Sequence, residues 1–276
     1  MHFTKEAIQS IIRIKLPADL VVPEHSNLGH FYRVHGKLLP SVTGALKLLK
    51  DESLQNWKVN TACQYILEHA DRASTLESLA ELIVEAKRQP QEIFTDAGSV
   101  GTDIHSYREQ YFSEWIVTNK KPAKTTDFIP ADENDIRAIS AMRALQKFVD
   151  DYDYVPIACE VRVYSEKYNL AGSLDDIGFL GGELGDLVIL DLKSSNYLHD
   201  IYWKQVAMYY MMFKENTGLK PKKCYILQVS KINGTYKLEE IKQIHKVVNG
   251  CKALFKVNAC MEMIKNARAE KQTIQI

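Results

Sequence analysis

Residues 168–195 read YNLAGSLDDIGFLGGELGDLVILDLKSS, and the predicted fold is built outward from this stretch. Its last part, DLVILDLKSS, begins with an apolar, partly β-branched run that is typical of a buried strand. YNLAGSLDDIGFL predicts a strand before it, and the glycines of GGELG predict the turn between the two. Asp175 is then expected near a turn, and Asp191 and Lys193 at the end of an apolar strand.

The segments on either side extend this pair of strands into a sheet. PIACEVRVYS predicts a strand upstream, and residues 198–215 downstream have the apolar spacing of a helix. KKCYILQVS predicts another strand, Asn233-Gly234 is a hairpin signal leading into TYKLEEI, and residues 241–268 predict a closing helix. This order predicts an α/β fold with a mixed central β-sheet flanked by helices.

The N-terminal part of the chain has a different pattern of apolar and polar residues. Residues 29–39 alternate apolar and polar side chains around His35-Gly36 and predict a small β-hairpin or an extended arm. Residues 41–90 have helical spacing and predict an N-terminal helical region. A further helix is predicted over residues 98–117, and an amphipathic helix over residues 133–150 after a polar, proline-containing linker.

These patterns divide the chain into an N-terminal hairpin and helical arch region, residues 1–97, and a core with a C-terminal helix, residues 98–276. Together they are expected to form one compact domain and a monomer. No stretch approaches the twenty apolar residues of a membrane span, and the start lacks the apolar run of a secretory signal. We therefore expect a cytoplasmic protein, with an organellar presequence left open.

Charge and cysteine usage limit the classes of function. The 35 basic and 35 acidic residues give a formal net charge of zero, so no global positive field attracts a polyanion. Any nucleic-acid surface must be local, which argues against a strong non-specific DNA coat protein. No cysteines form a C-x-x-C pair, so a zinc or iron–sulfur site is not expected. The predicted state is free thiols, which applies to Cys63, Cys159, Cys224, Cys251 and Cys260.

The end of the apolar strand carries two candidate catalytic residues. Residues two apart on a strand share a face, so Asp191 and Lys193 are expected to point the same way. Two carboxylates and a backbone carbonyl suit Mg²⁺ or Mn²⁺, and a lysine can hold an attacking water or offset charge in the transition state. The alternative is a structural salt bridge, because an Asp-x-Lys triplet is expected about once by chance in a chain of this length.

Several such motifs follow one another in a fixed order. The motifs are Gly101-x-x-x-His105, Glu160 on a strand, Gly172-x-x-Asp175, Asp191-x-Lys193 and Gln205-x-x-x-Tyr209. This series resembles the motif order of RecB-like nucleases in the PD-(D/E)XK superfamily. Upstream, LLPSVTGALKLL with a downstream tryptophan and GTDIH is similar to the mitochondrial genome maintenance exonuclease branch, which resembles proteins of phages and bacteria as well. The resemblance therefore implies a bacterial or phage-infected cell as the setting.

The resemblance implies roles for the matching positions. Asp175 and Asp191 correspond to metal-binding carboxylates, Lys193 to the catalytic lysine, and the carbonyl of Leu192 to a further metal ligand. Asp176 follows Asp175 directly and is an alternative ligand by spacing. The family's spacing from glycine favours Asp175, which places Asp176 outward or behind the site.

Three elements around this centre have competing interpretations. By resemblance, His105 adds a helix ligand, whereas a lone helical histidine is more often packed or solvated. Glu160 is similar to an acidic strand residue that binds or orients a second ion; its alternative is a surface strand residue paired with Arg162 or with another neighbour. Gln205 and Tyr209 share a helix face and could reach both the lysine and a phosphate. Without the resemblance, Tyr209 would be expected to pack in the core.

The expected function is a Mg²⁺-dependent or Mn²⁺-dependent DNA exonuclease that prefers single strands with a free end and acts in replication, recombination or repair. An endonuclease of the same superfamily and a catalytically silent nucleic-acid-binding protein are the alternatives. In the exonuclease branch a helical arch lets a single strand thread while a duplex is excluded. Ser41 could contact a phosphate, although N-capping is the simpler role. Four aromatic residues could stack on bases or be buried: Tyr32, Trp57, Tyr107 and Trp203.

Overall fold

The two strands of residues 168–195 form the centre of a five-stranded sheet. The structure is a computed structural model and describes residues 3–26, 29–46, 52–131 and 135–256. Its strands are β4 (Tyr154–Ser165), β5 (Leu170–Leu180), β6 (Asp186–Lys193), β7 (Lys223–Val229) and β8 (Tyr236–Glu240). They lie in the order β4-β5-β6-β7-β8; β6 and β7 are parallel and the other neighbours are antiparallel.

Helices flank this sheet and form the N-terminal helical region, so the predicted α/β fold class is confirmed. The side chains on both faces of β6 are buried from Val188 to Leu192, as expected for a strand that is covered on both sides. The helices are α1 (Lys5–Lys15), α2 (Val42–Leu46), α3 (Glu52–Glu68), α4 (Leu76–Thr118), α5 (Ile136–Asp151), α6 (Asp200–Thr217) and α7, residues 244–256.

A small antiparallel sheet precedes the helical region, with strands β1 (Val21–Ser26), β2 (Gly29–Val34) and β3 (Lys37–Pro40). The hairpin predicted around His35-Gly36 is present as β2 and β3, and both turn residues have the positive φ angles that a tight turn requires. The sequence patterns did not predict β1. The small sheet adjoins the main one through a bridge between Ser41 and Ala171.

Helix α4 differs from the sequence prediction. Two helices were expected, with a new one beginning near Gly98, but residues Leu76–Thr118 form one continuous helix of 43 residues. It contains Pro90, whose missing N–H costs about 3 kcal/mol in a helix interior. The helix continues because it packs on both sides of the proline, against α3 before it and against β4 and α5 after it.

The other predicted helices lie within a few residues of the observed ones. Among the described residues, the closing helix ends at residue 256, and the predicted remainder lies outside them, as do residues 47–51 and 132–134. The four cysteines that the structure describes, Cys63, Cys159, Cys224 and Cys251, are free thiols, as predicted. No helix in the described part of the chain is long and apolar enough to cross a membrane.

Two glycines offer a paired test of this packing. A Cβ added at Gly178 would overlap the buried ring of Tyr154 on the neighbouring strand, whereas one added at Gly98 in α4 would meet nothing. We expect Gly178→Ala to lower the free energy of unfolding by about 1–3 kcal/mol and Gly98→Ala to raise it by roughly 0.5–1 kcal/mol. Urea unfolding followed by circular dichroism measures both, and equal effects would contradict the packing described here.

Candidate metal centre

The centre of the candidate site is the point where β5 and β6 separate. Their ladder is last paired at Asp176 and Leu190, whereas β6 continues beside β7 as far as Lys193. Beyond the last pair, the backbone N–H of Leu192 donates to Oδ2 of Asp175 at 2.8 Å. The Asp175 carboxylate therefore occupies the gap between the two strands, and its orientation is fixed by the backbone of β6.

Helix α4 brings His105 to this gap. His105 Nδ1 lies 3.6 Å from Asp175 Oδ2. One turn earlier, a Cβ at Gly101 would come within 3.3 Å of Ser194 Oγ, so the glycine lets the helix run close to the end of β6. Burial lowers the pKa of His105 to about 4, although Asp175 and the Leu192 carbonyl oppose this shift. A neutral imidazole at neutral pH is the form that binds metals.

Strand β4 contributes Glu160 through an unusual backbone conformation. Its φ angle is +48°, a left-handed value that is rare for a residue with a side chain and that often marks functional sites. Glu160 Oε1 accepts a hydrogen bond from Arg108, and Oε2 accepts one from Ser173 Oγ at 2.9 Å. The surface pair with Arg162 that was considered from sequence is absent, since Arg162 instead donates to the carbonyl oxygens of Ala18 and Val21.

Three of these side chains form a group that could hold a metal ion. His105, Glu160 and Asp175 each offer one ligand atom, and all three atoms lie within 4.8 Å of one another. The set combines two carboxylates with an imidazole, which are donors that bind divalent cations in proteins. The residues that the sequence predicted as metal ligands from α4, β4 and β5 are thus brought together.

Asp191 and Lys193 lie beside this group. Asp191 is 1% exposed, and its Oδ2 is 2.5 Å from Lys193 Nζ. Among the described residues, Oδ1 of Asp191 has no hydrogen-bond partner. Burial raises the pKa of Asp191 to about 7, against the opposing effect of Lys193. Burial would lower the pKa of Lys193, but Asp191 and Asp175 together raise it, so the lysine is cationic.

Asp191 and Lys193 therefore point the same way from β6, as predicted. They also form a salt bridge, which was the alternative interpretation of the Asp-x-Lys triplet. Lys193 also lies over the ring of Tyr202, with Nζ 5.1 Å from the ring centre. An unpaired oxygen on a buried carboxylate costs free energy unless something else satisfies it. This favours a cation or a proton at Asp191 over a salt bridge alone.

Helix α6 supplies Gln205 and Tyr209, which contact each other. Gln205 Nε2 donates to Tyr209 Oη at 3.0 Å, and Tyr209 is buried. A Cβ at Gly172 would lie 2.7 Å from Tyr209 Cε1, so the glycine of the Gly172-x-x-Asp175 motif makes room for this ring. Burial raises the pKa of Tyr209, and Asp191 and Asp175 add to the shift, so the phenol is neutral. Tyr209 packs in the core and is also within electrostatic reach of the site.

Arg108 was not predicted as a site residue. It lies on α4 three residues after His105, is fully buried, and donates to Asp176 Oδ2 at 2.6 Å as well as to Glu160. This contact also bears on the choice between Asp175 and Asp176, because Asp176 is turned to the arginine while Asp175 joins the candidate ligands. The helical spacing from His105 was the available signal.

The residues considered for substrate contact lie on several different helices and strands. Ser41 Oγ accepts a hydrogen bond from the N–H of Gly44 at 2.9 Å, which is the N-capping role. Tyr107 is buried, Tyr32 and Trp203 are half-buried, and Trp57 is 36% exposed. Burial raises the pKa of the Tyr32 phenol, and Glu160 adds to this shift.

Comparison with known proteins adds little to this description. No family model matches the sequence, and the search of curated proteins found no match. Among solved structures, the chain is similar to the crystal structure of SSO0001, with 13% sequence identity over 56% of this chain and 73% of that chain, and a TM-score of 0.26.

A metal-binding test follows from the ligand geometry. We expect Mn²⁺ to raise the melting temperature of the wild-type protein, because a cation that binds only the folded state at 100 times its Kd contributes about 2.7 kcal/mol. Asp175→Asn should abolish the shift while keeping the fold, since an amide oxygen can still accept the Leu192 N–H. Asp186→Asn, which changes an ion-paired aspartate at the opposite end of β6, is the control and should leave the shift intact. An unchanged shift in Asp175→Asn would argue against this site.

Proposed function

We propose that this protein is a metal-dependent nuclease, specifically a DNA exonuclease that prefers single strands. The supporting observation is the convergence of two carboxylates, an imidazole and a cationic lysine where β5 and β6 separate. Such groups suit metal-dependent phosphodiester hydrolysis, in which a cation polarises the phosphate and a positive side chain offsets the charge of the transition state.

The proposed division of labour follows from the contacts of each side chain. His105, Glu160 and Asp175 would hold the cation, and the unpaired oxygen of Asp191 and the Leu192 carbonyl extend the donor set. When bound, Mg²⁺ or Mn²⁺ would polarise the phosphate and lower the pKa of a coordinated water. Oxygen-rich donors favour these two hard cations over Zn²⁺, which more often takes nitrogen and sulfur ligands.

Lys193 would act on the reacting phosphate directly. Its side chain is 14% exposed, whereas the Arg108 side chain is 0% exposed, so of these two cations beside the carboxylates Lys193 is the accessible one. Its ammonium group can offset the negative charge that builds on the phosphate oxygens in the transition state. Asp191 and the Tyr202 ring would hold it in place, and the Gln205 and Tyr209 pair would support the same wall of the site.

The proposed preference for a single strand is based on the helical region formed by α3 and α4. Helix α3 packs on the first half of α4, where Tyr65 contacts Glu85, and the second half of α4 carries His105. This helical hairpin exposes apolar and aromatic side chains, among them Trp57, Ile93 and Phe94. Unpaired bases stack on exposed aromatic rings, whereas bases within a duplex are not available for such contact.

The test is digestion of end-labelled linear single-stranded DNA, the matching duplex and a closed single-stranded circle, with Mg²⁺, Mn²⁺ or EDTA. We expect metal-dependent loss of the linear single strand and survival of the circle. Lys193→Ala should reduce the rate by at least roughly a hundredfold, as expected for loss of a group that stabilises transition-state charge. Lys222→Ala, which removes a surface lysine at the far end of the sheet, is the matched control.

The outcomes separate the alternatives. Cleavage of the circle would replace the exonuclease proposal with an endonuclease. Equal inactivity of the wild type and Lys193→Ala on every substrate and with every metal would remove the catalytic proposal. Binding of single-stranded DNA in that case would support a silent nucleic-acid-binding protein.

A further inference from the structure

A polar cleft lies beside the candidate metal centre, at the ends of the strands β6 and β7. It has a volume of about 290 Å³ and is bounded by the segment after β6 and by the hairpin that joins β7 to β8. Because β6 and β7 are parallel, the cleft lies at the carboxyl ends of both strands. Ligands of open α/β sheets commonly bind outside the carboxyl ends of such strands.

The strand register connects this cleft to the candidate catalytic lysine. Lys193 of β6 is paired with Gln228 of β7, and Gln228 is paired with Lys237 of β8. Directly paired residues stand on the same face of a sheet, so the three side chains form a row that leads from Lys193 into the cleft. Neighbouring strands lie about 4.8 Å apart, which places the backbone of Lys237 roughly 10 Å from that of Lys193.

Hydrogen bonds hold both walls of the cleft in place. Gln228 Nε2 donates to the carbonyl oxygen of Ser195 at 2.7 Å and ties the segment after β6 to β7. In the hairpin, Ser230 Oγ accepts the N–H groups of Ile232 and Asn233 at 3.2 and 3.4 Å. The cleft is therefore preformed, and a ligand that binds in it does not have to order these segments first.

Polar groups on these walls are available to a ligand. Within the described part of the chain, the Asn196 side chain makes no hydrogen bond, and the Ser230 hydroxyl accepts two but donates none. The Lys237 side chain is 66% exposed, and its Nζ lies 2.5 Å from Glu239 Oε1 in a surface pair that contributes little stability. Lysine, serine and asparagine side chains are groups with which proteins bind the phosphate and sugar of DNA.

The size and composition of the cleft limit its ligand. Small-molecule sites have volumes of roughly 300–1,000 Å³, so this cleft is near the lower limit and suits one nucleotide unit better than a duplex. Tyr236, an aromatic residue in its wall, packs its ring against Phe148 and Tyr152 and does not offer it for stacking on a base. The remaining polar groups suit a phosphate and a sugar rather than a base.

We propose that this cleft is a subsite for the substrate strand, which holds the phosphate and sugar of the nucleotide next to the bond that is cut. Lys237 binds the phosphate, and Asn196 donates to phosphate or sugar oxygens. Lys193 and Lys237 then contact neighbouring phosphates of one strand, which gives a protein of zero net charge a local positive surface. This inference rests on the proposed function and adds the direction in which the strand leaves the metal centre.

The test is binding of a short, fluorescently labelled single strand of thymidine nucleotides, measured by anisotropy at several salt concentrations. EDTA is present so that nothing is cut. Lys237→Ala should weaken binding by roughly threefold to tenfold, the scale of one hydrogen bond. It should also reduce the slope of log affinity against log salt by about 0.7, the value for one phosphate contact on a single strand. A purely structural role of the lysine would not change this slope.

Three further variants serve as controls. Lys223→Ala removes the lysine of a similar surface pair, with Glu240, near the opposite end of β7, and should keep the affinity and the slope of the wild type. Lys237→Arg keeps the positive charge and should keep the slope. Asn196→Ala removes an uncharged donor from the other wall, so it should weaken binding by about threefold without changing the slope.

Digestion of the same strand with Mg²⁺ adds a second measurement. Lys237→Ala should raise KM and leave kcat unchanged, because a contact away from the reacting bond binds the substrate and the transition state equally. Lys193→Ala should lower kcat instead. The two lysines of the row are thereby distinguished by function.

Three results would overturn the inference. The first is a Lys237→Ala protein with the affinity and the salt slope of the wild type. The second is an Asn196→Ala protein with wild-type affinity, since dependence on the lysine alone indicates general attraction of a polyanion. The third is a wild type that binds no single strand. Failure of the proposed nuclease function gives a different pattern, in which the variants bind the strand in the expected order but no DNA is cut with any metal.

Discussion

The separation of β5 and β6 is the constraint on which the candidate site depends. Two paired strands satisfy their backbone groups with each other, and no room is left for a ligand between them. Where the pairing ends after Asp176 and Leu190, the Asp175 carboxylate accepts the N–H of Leu192 instead. This single hydrogen bond fixes a carboxylate at the edge of a buried sheet and leaves its remaining lone pairs directed into the gap.

This arrangement buries several charged side chains, which costs folding free energy. Asp175, Asp176 and Asp191 are all buried, and so are Arg108 and, in large part, Lys193. Burial raises the pKa of Asp176 to about 8 and that of Asp191 to about 7, although the neighbouring Arg108 and Lys193 oppose this shift. Burying charge in a core destabilises a fold unless the charge is paired. A structure with no use for these groups would be more stable with apolar residues in their place.

Much of the core architecture was predictable because it depends on local patterns. The apolar run before Asp191, the glycines of GGELG and the Asn233-Gly234 turn each act over a few residues, and the strands they predict are present. The continuity of α4 was not predictable in this way. A proline and a glycine within eight residues normally indicate a break, and the helix continues because of packing against α3, β4 and α5 that no local pattern encodes.

The same distinction applies within the site. Asp191 and Lys193 could be placed on one face from strand geometry alone, and His105 and Glu160 required an ordered series of motifs. Arg108 and the backbone conformation of Glu160 were beyond either approach, because an arginine on a helix and a glutamate in a strand have many ordinary roles. What identifies them is a three-dimensional fact: the guanidinium reaches across two strands to join Glu160 and Asp176. The residues that supply chemistry are therefore recognisable by type and order, whereas those that balance their charge are recognisable only by contact.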